Sequence, residues 1–266
     1  MALNKNAKAI LFYAPQGGTG KTTFALNTSI FCSSSGLKVL LVDMSIFGSI
    51  ASVKRIPLKG GIGLTAILTF LDLDSEKFDE TKMNGIIKNS IVNSGVNKNF
   101  DVLLSTNPIK MEAIGENCCK ALMESLKKLD YDFIIVDTSS ELSEKNMLLF
   151  ELADYCVIPV IQDVSCGWKM VMFREVMEKC SIDKNKFGVI VNMCSKYSGF
   201  NNQEFEKEIG YKLITEVPFF QKNYQNRINE GLLINTMKNN RANKHFLMAV
   251  KLIMEKMKSN PGEKAV

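Results

Sequence analysis

A glycine-rich segment that ends in lysine and threonine offers the clearest chemistry in the sequence. Residues 15–23 read Pro-Gln-Gly-Gly-Thr-Gly-Lys-Thr-Thr and directly follow the apolar segment 8–14. Glycines allow successive backbone N–H groups to point at one anion, and the N-terminus of a following helix adds positive potential. Lys21 would bring a cation to the β- and γ-phosphates of a nucleotide, and the hydroxyl of Thr22 would bind Mg²⁺. The segment therefore predicts a phosphate-binding loop.

The phosphate-loop prediction has one departure from the strict motif and one alternative. The strict G-x-x-x-x-G-K-[ST] pattern fails at its first position, which is Pro15. A glycine turn that binds nothing is the alternative, but strand, loop and helix stand in the order that phosphate binding requires.

A second glycine segment, Gly61-Ile-Gly63-Leu-Thr-Ala66, matches G-x-G-x-x-A. No convincing strand precedes it, so we interpret it as a turn and the start of a helix.

The elements that must position the loop alternate between strands and helices along the chain. Short aliphatic segments predict strands, and segments with helical periodicity predict helices. The predicted strands are 8–14, 38–43, 100–105, 131–137, 155–161, 187–192 and 213–217. The predicted helices are 21–35, 62–72, 75–92, 112–129, 142–152, 166–179, 202–209 and 241–258.

This alternation predicts an α/β fold, with a doubly wound, mostly parallel sheet and helices on both faces. Ligands of such folds bind at the carboxyl ends of the strands. The segments after Tyr13, Asp43, Asp137 and Asn192 are therefore the places to look for a site. We expect a single domain over residues 1–258 and a flexible tail over 259–266, because the tail has no periodic pattern.

Composition excludes several other classes of protein. The 266 residues carry a formal charge of +5, with 46% apolar and 23% charged residues, which is close to the average for soluble domains. No apolar run is long enough for a transmembrane helix, and the early apolar stretch is too short for a signal peptide, so we expect a cytoplasmic protein. The single histidine, His245, is interpreted as an ordinary helix residue.

The seven cysteines form no CxxC pair, which disfavours a zinc ribbon or a thioredoxin-like site. Cys32, Cys156, Cys180 and Cys194 lie in apolar segments, where a free cysteine usually acts as a small core residue. The adjacent pair Cys118–Cys119 could serve redox or metal chemistry at a dimer interface, but helix packing explains it equally well.

The glycine loop resembles the deviant Walker A motif of the ParA/MinD family of P-loop ATPases, Lys-Gly-Gly-x-Gly-Lys-[Ser/Thr]. Here the motif reads Gln16-Gly-Gly-Thr-Gly-Lys-Thr22. Other segments resemble the family's landmarks in the family's order. They are 38–43 leading into switch I, 131–138 with Walker B and switch II, 153–160 as the next strand, 188–192 ending in the adenine-reading Asn, and 216–219 as the base-flanking loop.

The resemblance implies ATP and Mg²⁺ as cofactors and a P-loop NTPase fold. It implies catalytic roles for Lys21, Asp43 and Asp137, and Mg²⁺ binding by Thr22, Asp43 and Asp137. The nucleotide would be bound by Gly17, Gly18, Thr19, Gly20, Lys21, Thr22, Thr23, Asn192, Pro218 and Phe219. An ATP-dependent homodimer and a protein partner in a larger assembly are also implied.

The chain departs from the family pattern at positions that matter for hydrolysis. Gln16 replaces the signature lysine, which reaches the partner's phosphates across an ATP-sandwiched dimer. Ser45 replaces the second switch I aspartate, which helps to position the attacking water. Loss of a cation at the developing charge can cost on the order of 10³ in rate. We therefore expect ATP binding with slow or marginal hydrolysis. Arg55, Lys145 and Lys169 are considered as replacements for the missing cation.

The leading functional hypothesis is an ATP-dependent dimerising switch that positions an assembly such as a pilus or secretion machine. Similar degenerate motifs occur in the TadZ/CpaE-like pilus-assembly localisation branch of the family. One alternative is a partition ATPase that binds non-specific DNA, and another is a metallocentre-maturation ATPase that would use Cys118–Cys119. A small-molecule kinase is a fourth hypothesis, for which the sequence offers no acceptor-binding motif.

The C-terminal quarter bears on surface partners. Its basic residues could contact DNA phosphates, although an ordinary solvated face is favoured at this net charge; they are Lys222, Arg227, Lys238, Arg241 and Lys244. The helix after them carries an apolar stripe of Phe246, Val250, Ile253 and Met257. This stripe could contact a membrane surface and recruit the protein to the membrane or the cell pole, but packing against the sheet is favoured.

Overall fold

The fold is described from a computed structural model of the chain. It covers residues 6–48, 50–51, 63–73, 79–105, 107–199, 201–219 and 241–259. Within these residues, one eight-stranded sheet organises the structure, and its strand order is β3-β4-β2-β5-β1-β6-β7-β8. Among the strands that the structure describes, only the short edge pair β3–β4 is antiparallel, and the other neighbouring strands are parallel. The predicted mostly parallel α/β fold is confirmed.

The central strands are aliphatic because both faces of the sheet are covered by helices. The residues of β2 and nearly all of β5 are buried. The strands are β1 Lys8–Phe12, β2 Val39–Asp43, β3 Val92–Asn93, β4 Phe100–Leu103, β5 Phe133–Asp137, β6 Tyr155–Ile161, β7 Phe187–Cys194 and β8 Leu213–Pro218.

The helices lie on both faces of the sheet, as the sequence predicts. Helices α1 and α9 pack on one face, and α2 to α8 contribute apolar side chains to the core on the opposite face. The helices are α1 Lys21–Ser34, α2 Leu64–Leu73, α3 Glu80–Ser90, α4 Pro108–Glu112, α5 Glu116–Lys127, α6 Glu144–Leu152, α7 Val164–Lys179, α8 Asn202–Ile209 and α9 Arg241–Ser259.

The helix predicted over 112–129 is present as α5, but it begins at Glu116. A separate short helix, α4, precedes it and ends at Glu112; Asn107 caps α4 through its side chain, and Gly115 forms the N-cap of α5. The helix predicted over 75–92 begins only at Glu80, where the Asp79 side chain accepts hydrogen bonds from two backbone amides. Strand β3 follows α3 directly, and the sequence analysis missed it because two residues carry no periodicity.

Other predicted boundaries shift by one or two residues at side-chain caps. Helix α6 begins after Ser143 and α7 after Asp163, and both side chains accept a first-turn amide hydrogen bond. A cap ends the extended segment and satisfies an amide that has no partner within the helix. Residues 260–266 of the predicted tail lie outside the described residues, as do Gly61, Arg55, Lys222, Arg227 and Lys238.

The apolar stripe of helix α9 is buried in the protein core. Phe246, Val250, Ile253 and Met257 are all buried against the sheet and α1, and the Phe246 ring lies 4.8 Å from the Phe24 ring, centroid to centroid. The stripe is therefore not a free membrane-binding face. Among the described residues, no helix is long and apolar enough to cross a membrane.

The cysteines are free thiols, and most of them are core residues. Cys32, Cys119, Cys156 and Cys166 are buried. The expectation that Cys180 packs in the core is wrong, because Cys180 is the exposed C-cap residue after α7.

Candidate nucleotide-binding site

The glycine loop between β1 and α1 has a conformation that only glycine adopts readily. Gly18 has a φ of 75° and Gly20 a φ of 104°. A Cβ atom on Gly20 would lie 2.5 Å from Nδ2 of Asn192. That amide nitrogen donates a hydrogen bond of 2.8 Å to the Thr19 carbonyl oxygen, so β7 supports the loop from below. Gly20 is also the N-cap of α1, and no side chain caps this helix end, which leaves it open to an anion.

Lys21 lies over the loop at the carboxyl edge of the sheet. Its Nζ donates to the Ser140 Oγ at 2.6 Å and to the Gln16 carbonyl oxygen at 3.3 Å. Burial lowers the pKa of the Lys21 ammonium, and the nearby Asp137 opposes this shift. An anionic ligand in the loop would favour the charged form of Lys21 in the same way. The contact between Ser140 and Lys21 has no signal in the sequence, because 119 positions separate the two residues.

Two carboxylates stand side by side beneath the loop. Asp43 and Asp137 are register partners at the ends of β2 and β5. The hydroxyl of Thr22 donates to Oδ2 of Asp137 at 2.6 Å. Oδ1 of Asp137 is buried and has no hydrogen-bond partner. Asp43 is held differently, because its Oδ1 accepts from the backbone N–H and the hydroxyl of Ser45 and its Oδ2 accepts from the amide of Ile50.

The electrostatics of this pair are unfavourable without a cation. Burial, followed by repulsion from Asp43, raises the pKa of Asp137 to about 8. Burial also raises the pKa of Asp43, although hydrogen bonds from Ser45 and Ile50 oppose the shift. Mg²⁺ prefers carboxylate and hydroxyl oxygens and is commonly bound by one or two carboxylates plus substrate phosphates. The orphaned Oδ1 of Asp137 and the adjacent Thr22 hydroxyl therefore fit a bound Mg²⁺.

The residues predicted to read the base lie at the ends of the two neighbouring strands. Asn192 is near the end of β7, Pro218 ends β8, and the half-exposed Phe219 donates its backbone N–H to the Cys194 carbonyl oxygen. Asn192 is almost fully buried, and its amide nitrogen is used by the loop. The structure thus brings these residues to the same edge as the loop, and it gives Asn192 a supporting contact that the sequence did not predict.

Lys145 and Lys169, the two described residues that were considered as replacements for the signature lysine, have different environments. Lys145 is buried, and its Nζ donates to the carbonyl oxygens of Met44 at 3.0 Å and Met111 at 3.4 Å. Its ammonium is thus committed to the protein interior. Lys169 is exposed on α7, and its Nζ donates to the side-chain oxygen Oε1 of Gln16 at 3.1 Å. No sequence signal marks this contact, because 153 positions separate the two residues.

A phosphate loop between the first strand and a helix, with two carboxylates at the ends of neighbouring strands, defines a P-loop nucleotide-binding protein of the α/β class. The AAA_31 family model, described as an AAA domain, matches residues 7–167, which is more than half of the chain. Together with the relatives below, this match places the chain in the ParA/MinD family of P-loop ATPases.

Two curated relatives are similar to this chain. One is the chromosome-partitioning ATPase Soj of Treponema pallidum, 28% identical over 58% of this chain and only 56% of the Soj protein. The other is the virulence plasmid ParA family protein pGP5-D of Chlamydia psittaci, 24% identical over 95% of this chain and 96% of that protein. Assignment to the TadZ/CpaE-like branch stays a prediction.

A solved structure with the same fold is the septum site-determining protein MinD from Pyrococcus horikoshii, complexed with Mg-ADP. It has a TM-score of 0.76 at 18% identity and covers 97% of this chain and 100% of its own. At this identity the likeness establishes the fold.

Proposed function

We propose that the protein binds ATP with Mg²⁺, dimerises in the ATP state and hydrolyses the nucleotide slowly. The observation that supports this most directly is the buried, unpartnered Oδ1 of Asp137, which lies beside the Thr22 hydroxyl. A buried carboxylate oxygen without a partner is costly, and a bound cation would remove that cost. Mg²⁺, when bound, would neutralise charge on the β- and γ-phosphates. Lys21 and the uncapped end of α1 would hold those phosphates.

Slow hydrolysis follows from two positions. Gln16 carries no charge, and Ser45 carries no carboxylate to orient water. The Ser45 hydroxyl donates to Asp43, so it supports this carboxylate and is not directed at an incoming water. Phosphoryl transfer depends on positioning and charge stabilisation, so both departures should lower the rate without preventing binding. A steady-state turnover assay on the purified protein tests this, and turnover of about 1 s⁻¹ or faster, in the usual range for enzymes, would contradict it.

Exposed apolar side chains support dimerisation at the edge of the sheet that carries the loop. On α7, Val164, Trp168 and Met172 recur every four residues and are 78%, 64% and 40% exposed. Phe47 and Leu142 are also exposed, and they follow β2 and β5 at the same edge. Soluble monomers rarely expose large contiguous apolar patches. A second copy of the chain that covered this edge would bury these side chains together with both nucleotides.

Light scattering after size exclusion tests the dimer, first without nucleotide and then with ATP and Mg²⁺. We expect the mass to double only with nucleotide. Trp168→Ser should weaken this dimer at least tenfold, because large aromatic side chains dominate interface energies. Leu247→Ser is the matched control, since Leu247 is 39% exposed on α9, which packs on the opposite face of the sheet from α7. A wild-type protein that stays monomeric with ATP would contradict the proposed switch.

We further propose that the long-lived ATP state positions a larger assembly such as a pilus or secretion machine, with recruitment to the membrane or the cell pole. The proposed slow hydrolysis would suit this role, because a switch that stays in its ATP form can act as a scaffold. A fluorescent fusion expressed in the source cell tests it. We expect a discrete focus that disappears in Asp137→Asn, and a uniform distribution of the wild type would contradict the positioning role.

Partition of DNA is the second candidate, and the names of the two curated relatives favour it. The structure describes Lys244 as exposed, while the side chains of the other four basic candidates are outside the described set. Fluorescence anisotropy with a random duplex separates the candidates. A partition ATPase should bind only with ATP, and binding through several phosphate contacts should weaken steeply between 50 and 200 mM salt.

The metallocentre alternative has little support from the structure. Cys119 is buried in the packing of α5, and burial raises the pKa of its thiol to about 12, which disfavours the thiolate that binds metals. Within the described ranges, no three side chains of His, Cys, Asp or Glu form a group that could hold a metal ion. Metal analysis of the purified protein remains its direct test.

A further inference from the structure

Lys169 is placed by α7 at the open side of the phosphate loop. Asp163 caps the helix by accepting from the Cys166 amide at 3.0 Å, and Cys166, Met170 and Phe173 bury one side of the helix in the core. This anchoring leaves Lys169 exposed on another side, where its ammonium donates to Oε1 of Gln16. The first helical turns are thus fixed, and the lysine has a defined neighbour in the loop.

Gln16 lies close to the position where the outer phosphates of a nucleotide would bind. Its carbonyl oxygen accepts from the Nζ of Lys21, the lysine that a phosphate loop directs at the β- and γ-phosphates. The side chain of Gln16 accepts from Lys169, so both lysine ammonium groups contact the same residue of the loop. Among the residues that the structure describes, no carboxylate forms an ion pair with Lys169. Its charge is not neutralised locally and is available to an anion.

We propose that Lys169 supplies to the nucleotide of its own chain the positive charge that Gln16 lacks, and that Gln16 is the positioning residue that orients it. Lys169 then acts as a binding residue for the terminal phosphate and distinguishes ATP from ADP. The inference depends on the proposed ATP binding, but it concerns a residue outside the glycine motif. Gln16 of the loop and Lys169 of α7 then act together, Gln16 as the hydrogen-bond acceptor and Lys169 as the cation.

The test compares the dissociation constants for ATP and ADP, measured by titration calorimetry with Mg²⁺ at protein concentrations where the chain is monomeric. A unit charge several ångströms from a phosphate in partly solvated surroundings changes affinity by about three- to tenfold. We therefore expect Lys169→Gln to weaken ATP binding by about three- to tenfold and ADP binding by less than about twofold. Lys169→Arg should restore the affinity for ATP because it keeps the charge.

Lys179→Gln is the matched control, because this substitution removes the same charge from the other end of the same helix. A loss of ATP affinity in Lys169→Gln no larger than in Lys179→Gln overturns the inference, as does an equal loss for ATP and ADP. If Gln16 acts through Lys169, Gln16→Ala should weaken ATP binding in the wild type but add nothing to Lys169→Gln.

The two proposals fail in different ways. A wild-type chain that binds no ATP overturns the proposed function and this inference together. A wild-type chain that binds ATP with an affinity indifferent to Lys169→Gln overturns this inference alone. A variant that weakens only dimerisation, with an unchanged dissociation constant for ATP, also overturns it, because the charge would then act on the partner's nucleotide.

Discussion

Replacement of Asp137 by asparagine tests the electrostatics of the candidate site. Without a cation, the carboxyl of Asp137 is buried beside Asp43, and its pKa is raised from 3.8 to about 8. Between these two values the folded protein holds a proton that the unfolded chain releases. Stability of the cation-free protein should therefore fall as pH rises from about 4 to about 8. This fall should be smaller in Asp137→Asn, in which Asp43 is the one remaining carboxyl of the pair with a raised pKa.

The size of the effect follows from the shift. Each pH unit inside the window is worth about 1.4 kcal/mol for one proton. Between pH 5 and pH 8, the free energy of unfolding of Asp137→Asn should therefore gain about 3–4 kcal/mol relative to wild type. Urea unfolding in the presence of a chelator measures this difference. Asp130→Asn is the control, because Asp130 is an exposed carboxylate shortly before the same strand.

Addition of Mg²⁺ and ATP should remove most of the stability difference between wild type and Asp137→Asn at pH 8. A ligand at about one hundred times its dissociation constant stabilises the folded state by about 2.7 kcal/mol. We expect that gain in the wild type at pH 8 and none in Asp137→Asn, which lacks a carboxylate ligand. A wild-type minus variant difference that stays flat from pH 5 to pH 8 would refute the reasoning, because the carboxyl group could not then be buried and unpaired as described.

Two further variants test the supports of the site. Lys145→Met should lower the free energy of unfolding by about 2–4 kcal/mol, because the Met44 and Met111 carbonyl oxygens lose their buried donor; a loss under about 1 kcal/mol in urea unfolding would contradict this. Gly20→Ala should abolish measurable ATP binding in calorimetry, because its Cβ meets the Asn192 amide at 2.5 Å. Gly36→Ala is its control, since Gly36 has a φ of 91° with open space around it and should cost only about 1–2 kcal/mol of stability.

The sequence determined the features that arise from neighbouring residues. Aliphatic runs such as Val39–Asp43 require burial on both faces, and their alternation with amphipathic segments leaves few folds other than a doubly wound sheet. The glycines before Lys21 likewise predict an anion-binding loop, because their spacing is typical of backbone conformations that other residues rarely adopt. Local signals were weaker at boundaries, where single caps such as Asn107 and Asp163 decide the first helical residue.

The tertiary structure decided which distant residues share the site and what state they are in. Asp43 and Asp137 become neighbours only because β2 and β5 pair in register, and this burial is what raises the pKa of Asp137. The different environments of Lys145 and Lys169 also result from packing. Lys145 is buried among carbonyl oxygens, whereas Lys169 reaches Gln16 from α7. No residue pattern along the chain encodes these distances, because they result from the order of strands in the sheet.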